Sequence, residues 1–507
     1  MTFEHYLFRR QFLITPSPCE PLNHWPNEPF GDYRIYAHPD VELQVVNLDS
    51  GQGTLALIGY AIDPDHPRRS NREVFADIAR CADSVQDVRR SLYSMGGRFV
   101  LIYRNAADTF VFHDPCGLRS VYYARHAGAT HVGSQPLILA QVMPLATGAT
   151  FDAYHSSRYA KTLEHWLPCG LSLYENVHQL MPNHYLRLST CDQKRYWPDR
   201  PIRQRQLDDI VPIASERIEG LMRAAANRFK LAVTMTAGMD TRMLLAATRT
   251  AVADKYFYTL QYRNLRSDSK DIRVSKRLLT SLGYEHHVLN CRTTMDERFA
   301  DLYRRNASMA HANDWGHIAF GMLGAYPPDR VSVKGSCSEV ARCAMYKSGK
   351  HPPVRSVEDL LDYKPYWNQF SFVRKHLADW TADALGVAAQ TGVDLLDLFY
   401  WEHRMGGWQA QSQLEWDVVQ EVFTPFNHRG LLELLLGVRP ALRCSPNYLL
   451  FKRMCRHLWP QVLQVPVNPV ETIKGRVKAA LLRMGLDSTV KRAHRTINSY
   501  TCPRPRT

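Results

Sequence analysis

The chain has 507 residues, 45% of them hydrophobic and 22% charged, which suits a folded protein of two or three domains and excludes disorder, coiled coil and collagen. Its 63 Lys and Arg against 49 Asp and Glu give a formal charge of +14, so ATP phosphates, RNA or an acidic membrane face are all candidate partners and the number selects none. Eleven scattered cysteines with no Cys-x-x-Cys pair indicate neither a disulfide framework nor a zinc site and fit a reducing cytoplasm.

The amino terminus, MTFEHYLFRRQFLITPSP, is broken by Arg9, Arg10 and prolines and lacks the unbroken apolar core of a signal peptide. No stretch approaches twenty uncharged apolar residues, so a soluble, cytoplasmic protein with no membrane partner is expected. Residues 1–190 hold short β-type runs, among them GTLALIGYAI, GRFVLIYR, DTFVFHD, SVYYARH and HYLRLST, separated by turn residues. They predict a largely antiparallel first domain. Residues 191–206 are polar, basic and proline-punctuated, the pattern of a linker.

From 207 the period changes. Apolar residues at helical spacing over 207–229 precede a short apolar run at 231–235, then a helix pattern from Asp240, a strand at 255–262, a helix at 270–283 and a strand in HHVLN. Such alternation predicts a parallel sheet with covering helices, and from about 355 the pattern is mostly helical. This second domain is assigned to 207–485, with a basic tail at 486–507. Residues 471–507 carry nine Lys and Arg against Glu471 and Asp487, so half of the charge excess is local to the carboxyl terminus.

The chemistry-bearing segment is LAVTMTAGMDTRMLLAA, 231–247. Small residues at a strand-to-helix turn let backbone N–H groups approach a phosphate, and the helix N-terminus adds open donors. Asp240 is awkward beside bare phosphate but suits a Mg²⁺ that bridges phosphate oxygens. An ordinary strand-turn-helix with Asp240 as a first-turn acid fits the same residues.

Thr236-Ala237-Gly238-Met239-Asp240-Thr241 resembles the Ser-Gly-Gly-x-Asp-Ser pyrophosphate loop of the asparagine synthetase family. Four further segments match in family order. RVSVKGSCSEVARCAMY (330–346) resembles the Gly-rich loop ending in Asp-Glu, with Glu339 kept and Ser338 in place of Asp. EVFTPFNHRGLLELLL (421–436) resembles the Glu-x-Arg-x-Pro-Phe-Leu-Asp element, with Glu421, Pro425 and Phe426 in register. Residues 96–124 and 173–188 are similar to a hairpin and to the end of the family's glutaminase domain.

The resemblance implies an α/β protein. Its first domain would be an N-terminal-nucleophile-hydrolase-like αββα unit of the class II glutamine amidotransferase type. Its second would be an adenine nucleotide α-hydrolase-like PP-loop synthetase domain with helical additions. The implied activity is an AMP-forming, ATP-dependent carbon-nitrogen ligase: a carboxylate becomes an acyl-adenylate that ammonia or a substrate amine attacks. An idle first domain, with Thr2 where the family's nucleophilic cysteine would be, resembles the branch that includes β-lactam synthetases and lasso-peptide cyclases, and the same pattern occurs in asparagine synthetase-like proteins of unassigned substrate.

Implied site residues are Thr236, Ala237, Gly238, Met239, Asp240 and Thr241 around pyrophosphate, Tyr258 and Thr259 beside adenosine, and Gly335 and Ser336 beside the nucleotide. Asp240 and Glu339 would hold Mg²⁺, and Glu421 and Lys452 would be catalytic, with Lys474 and Lys478 as rival lysines. Simple strand packing is an alternative for Tyr258 and Thr259. The cluster His311, Asn313, Asp314, Trp315 and His317 fits a substrate pocket or a capped helix start. For Arg404, Trp408 and Gln409, packing between helices is preferred over an acceptor pocket. A small-molecule or peptide carboxylate and an amine are the expected partners, and nucleic acid is not. Rival readings are a PP-loop tRNA-modifying enzyme and a non-catalytic nucleotide-binding relative.

Overall fold

The computed structural model describes residues 3–48, 53–162, 165–308, 312–347 and 349–469. The first twelve strands, in chain order, are β1 (Phe12–Thr15), β2 (Asn27–Phe30), β3 (Tyr33–Ala37), β4 (Leu43–Asn47), β5 (Gly53–Ile62), β6 (Gly96–Asn105), β7 (Thr109–His113), β8 (Tyr122–His126), β9 (Ala129–Gly133), β10 (Val177–Gln179), β11 (His184–Arg187) and β12 (Asp192–Arg195). They form two six-stranded sheets, ordered β10-β8-β9-β1-β3-β2 and β12-β11-β7-β6-β5-β4. The pairings are antiparallel.

Side chains alternate across a strand with period two, and the two faces of β5 and β6 are both covered. Ala56, Ile58, Val100 and Ile102 pack with Phe12, Ile14, Ile35 and Val132 of the facing sheet. Leu55, Leu57, Phe99 and Leu101 point the other way, onto the helix Asn71–Arg80 and the second domain. That double burial is why GTLALIGYAI reads as a continuous apolar run. The outer face of the first sheet, with Leu13, Tyr36, Tyr122 and Ala124, is covered by Ile138 and Leu139 of the helix Pro136–Leu139. The layers are therefore helix, sheet, sheet, helix. Helix Asn71–Arg80 starts on a capping box in which Ser70 and Glu73 exchange hydrogen bonds.

The expected linker departs from its sequence pattern at its start. Residues 192–195 are β12, whose polar side chains suit a sheet edge, paired in register with β11. The rest of 196–206 is pinned to the second domain: Ile202 N–H donates to Thr391 O and Arg205 N–H to Gly437 O, and Trp197 is fully buried against Trp401.

The second domain follows the expected alternation. The helix Leu207–Arg228 leads into β13 (Lys230–Thr234), then come β14 (Tyr256–Gln261), β15 (His287–Asn290), β16 (Arg330–Val333) and β17 (Val422–Phe423). Their order is β15-β14-β13-β16-β17, all parallel. Helices Met239–Ala251 and Lys270–Ser281 make the crossovers. Among the described residues no helix is long and apolar enough to cross a membrane, and the described cysteines are free thiols.

A buried ion cluster joins the two domains. Arg98 on β6 makes a two-pronged pair with Asp417 and a 2.9 Å pair with Glu421, and Arg119 reaches Glu421 at 3.1 Å. The amino-terminal segment also crosses over: Phe8 N–H donates to Asn306 Oδ1 at 2.6 Å, and the Phe3 ring packs 5.5 Å from Phe299. Thr2 lies outside the described residues, as do Lys474, Lys478 and the tail 486–507.

Candidate active site

Strand order in the parallel sheet reverses between β13 and β16, and in such sheets ligands bind in the crevice beyond the carboxyl ends of the strands at the reversal. A cavity of about 420 Å³ opens there. Thr234, Met235 and Thr236 enter its wall from the end of β13, and Asp240 and Thr241 from the helix that follows. Tyr258, Thr259 and Leu260 come from β14, and Lys334, Gly335, Ser336 and Glu339 from the end of β16. The two loops meet closely: a Cβ added at Gly335 would lie 2.6 Å from Asp240 Cβ.

The opposite wall is Trp408, Gln409, Ser412, Gln413 and Trp416, facing Trp315. Residues Tyr400–Gln409 form a π-helix that runs into the α-helix Ala410–Trp416, a geometry that recurs at functional sites. Trp315 and Trp416 stand 4.7 Å apart, and Arg404 lies over the Trp408 ring at 3.8 Å. Trp408 and Gln409 combine the two expected roles: Trp408 packs on the core and on Trp315 and Gln409 is buried, and both also line the cavity. The π-helix is anchored from both domains. Glu402, fully buried, accepts from Arg195 Nη2 at 2.6 Å, from Trp380 Nε1 at 2.7 Å and from Asn183 Nδ2 at 3.3 Å.

Of the residues expected from the sequence, Thr236, Asp240, Thr241, Tyr258, Thr259, Gly335, Ser336 and Glu339 come together on this wall. Ala237, Gly238 and Met239 form the turn behind it, Ala237 and Met239 fully buried. Tyr258 and Thr259 have committed side chains: the Tyr258 hydroxyl pairs with Ser332 Oγ at 2.7 Å, and Thr259 Oγ1 donates to Met235 O at 2.6 Å. Strand packing therefore accounts for those side chains, and what the pair adds to the cavity wall is the body of a strand paired on both sides. His317 Nδ1 accepts from Met295 N–H, a structural contact. His311 and the side chains of Asn313 and Asp314 lie outside the described residues.

Glu421 and Lys452 are not on the wall. Glu421 sits in the interdomain cluster, where burial raises its carboxyl but Arg119, Arg98 and Arg10 outweigh it and hold it down to about 2. Lys452 lies on the helix Leu449–Leu458.

The loop amides are satisfied internally. Thr236 N–H donates to Thr241 Oγ1, Gly238 N–H to Thr236 Oγ1, and Ala237 N–H to the Asp271 carboxylate at 2.9 Å. Helix Met239–Ala251 has Gly238 at its N-cap and no side chain capping it, which leaves the first-turn N–H groups as the donors for an anion. Asn468 N–H donates to Ala237 O, and Arg242 on the same helix donates to Val462 O and Val465 O.

The acid pair is occupied as well. Arg342 lies two-pronged on Asp240, reaches Glu339 Oε1 at 3.7 Å, and Ser338 Oγ also donates to Asp240. A Mg²⁺ held between Asp240 and Glu339 does not fit this donor set, because a fixed guanidinium already neutralises Asp240. Burial, then the Asp240 charge, push the Glu339 carboxyl up to about 7 against Arg342, and its Oε2 is buried without a partner. Among the described residues no group of three metal-ligating side chains occurs.

Lys334, Asp271, Arg342 and Gln413 escaped the sequence reading. Lys334 alone carried a signal, a lysine ending an apolar strand just before a glycine turn.

No family model and no curated protein matches the chain. Among the solved structures that align loosely are two enzymes. One is glutamine phosphoribosylpyrophosphate amidotransferase from B. subtilis complexed with ADP and GMP, at 10% identity over 59% of this chain and 88% of that one, with a TM-score of 0.25. The other is described as the allosteric regulatory enzyme of purine biosynthesis, at 12% identity over 57% and 76%, again with a TM-score of 0.25. Alignments this loose leave the fold to rest on the chain's own sheets.

Proposed function

We propose that this protein is an ATP-dependent amide-forming ligase of the kind seen in the asparagine synthetase family, working without a glutaminase. The observation that carries the reading is convergence. Asp240 and Ser338, 98 residues apart, are hydrogen-bonded, and the two loops that bear them frame one cavity at the strand-order reversal.

In this reading the open first-turn N–H groups of helix Met239–Ala251 bind phosphate, where fixed dipoles stabilise charge that develops during transfer. The carboxylate substrate lies toward Gln413 and Ser412. Its attack on the α-phosphorus expels pyrophosphate and leaves an acyl-adenylate; an amine then attacks the acyl carbon and AMP departs. Trp315, Trp408 and Trp416 keep water from the mixed anhydride.

A second reading, nucleotide binding without turnover, is favoured by the Arg342–Asp240 and Asp271–Ala237 contacts, which fill charged positions of the loop. Carboxylate-dependent exchange of pyrophosphate into ATP, run over a panel of amino-acid and acyl-amino-acid carboxylates, separates the two. Exchange in the wild type that falls at least about 100-fold in Asp240→Ala supports the ligase. Equal exchange in both proteins removes it, and ATP binding with no AMP formed selects the second reading.

A further inference from the structure

Among the described residues that line the cavity, Lys334 is the cation. It follows the last residue of β16, and its main-chain N–H donates to Phe423 O on β17, so the backbone is fixed. Its Nζ lies 4.0 Å from the centre of the Trp416 ring and 3.5 Å from Gln413 Oε1. Among the described residues no carboxylate stands within ion-pair distance of it. The acid whose charge acts on it, Asp417, is committed to Arg98 in a two-pronged pair, and Arg98 opposes the ammonium with like charge.

Lys334 is half-buried on the cavity wall, and even partial burial without a counter-ion disfavours an ammonium; desolvation, then Arg98, hold it below its ordinary range, with Asp417 opposing. Next to it, Gln413 is fully buried and its Nε2 has no partner. An unpaired amide donor on the wall points to an acceptor on a ligand, because leaving it empty costs the desolvation of that group.

We propose that Lys334 is the catalytic base of this cavity, taking the proton that the substrate amine sheds on attack, while Gln413 Nε2 binds the acyl oxygen. The assignment rests on the ligase reading. The new C–N bond forms as the amine lone pair attacks, the C–O bond to AMP breaks with its electron pair, and the proton passes from the amine nitrogen to Nζ. Lysines act this way where burial keeps them neutral.

The test has two arms. In the first, the full-length protein is reductively methylated with ¹³C-formaldehyde and the dimethylamine signals are titrated by NMR, with Lys334→Arg identifying the signal. Titration below about pH 9 supports the proposal, and titration near the ordinary lysine value of about 10.4 overturns it. In the second, hydroxylamine serves as the amine. Lys334→Met, with Lys334→Arg as the control that keeps the bulk, should lose at least about 100-fold in kcat for hydroxamate formation while pyrophosphate exchange stays within about threefold. Loss of exchange together with hydroxamate formation makes Lys334 a phosphate ligand and overturns the proposal, as does unchanged hydroxamate formation. Wild type that exchanges no pyrophosphate with any carboxylate removes the ligase reading itself, and this assignment with it.

Discussion

Arg342 lies along the carboxylate of Asp240, its Nε 2.7 Å from one oxygen and its Nη2 2.8 Å from the other. A planar guanidinium matches a carboxylate in this two-pronged way and is hard to displace. The acid that the loop motif offers to a cation is therefore already paired within the chain.

Wild type titrated with Mn²⁺ alone should accordingly hold no ion between Asp240 and Glu339. Arg342→Ala should open the pair and create a site that Asp240→Asn then abolishes. Electron paramagnetic resonance of free Mn²⁺ checks this. A site present in wild type and lost in Asp240→Asn alone would sink the idea.

The π-helix depends on Glu402. Burial alone would raise its carboxyl, but Arg195, His184 and the Trp380 N–H outweigh burial and hold it down from the ordinary 4.5 to about 2. A depressed acid stabilises the fold above its unfolded value and loses that stabilisation as pH falls through the folded one. The contribution should thus be complete above pH 5 and fade between about 4.5 and 2. Glu402→Gln should cost roughly 3 kcal/mol at pH 7 and much less near pH 2. Urea melts of both proteins at several pH values measure it.

Glu421 binds the domains together, so its loss should appear in stability and not in chemistry. Glu421→Gln leaves Arg98 and Arg119 buried with less counter-charge, at a cost of about 3–5 kcal/mol. Scanning calorimetry should show a lowered transition, and pyrophosphate exchange by the folded variant should stay near wild type. A selective loss of exchange with an unchanged melt would return Glu421 to the chemistry.

Gly335 has no room for a side chain. Its Cβ would meet Asp240 Cβ at 2.6 Å and the Asp240 carbonyl carbon at 3.2 Å, so Gly335→Ala must push the two loops apart. ATP affinity measured by calorimetry should fall at least about tenfold, which corresponds to roughly 1.4 kcal/mol. Unchanged affinity would place the nucleotide elsewhere.

Element identity was legible wherever one face or both faces of a segment are buried. The apolar run at 231–235 and the helical spacing at 207–229 appear as β13 and Leu207–Arg228, because period and burial are local properties of the chain. The turn from Thr236 to Thr241 was legible as small residues at a strand end, a local pattern, whereas Gly335, Ser336 and Glu339 were expected only from the family resemblance; the structure brings the two loops to one cavity. The polar strand β12 was missed, since an edge strand needs no apolar face.

What the tertiary structure decided is which side chain meets which. Glu421 and Arg98 are 323 residues apart, and no local pattern shows that Glu421 faces another domain and not a ligand. Arg342 on Asp240, Asp271 on the Ala237 amide and Gln413 beside Lys334 likewise join separate elements. The strand-helix alternation and the small residues of the first loop are local features of the chain, and the second loop was expected from the family resemblance. Packing decided the charges of the site, because a buried charge is set by its neighbours in space, and those arrive only when the sheet and the π-helix close on each other.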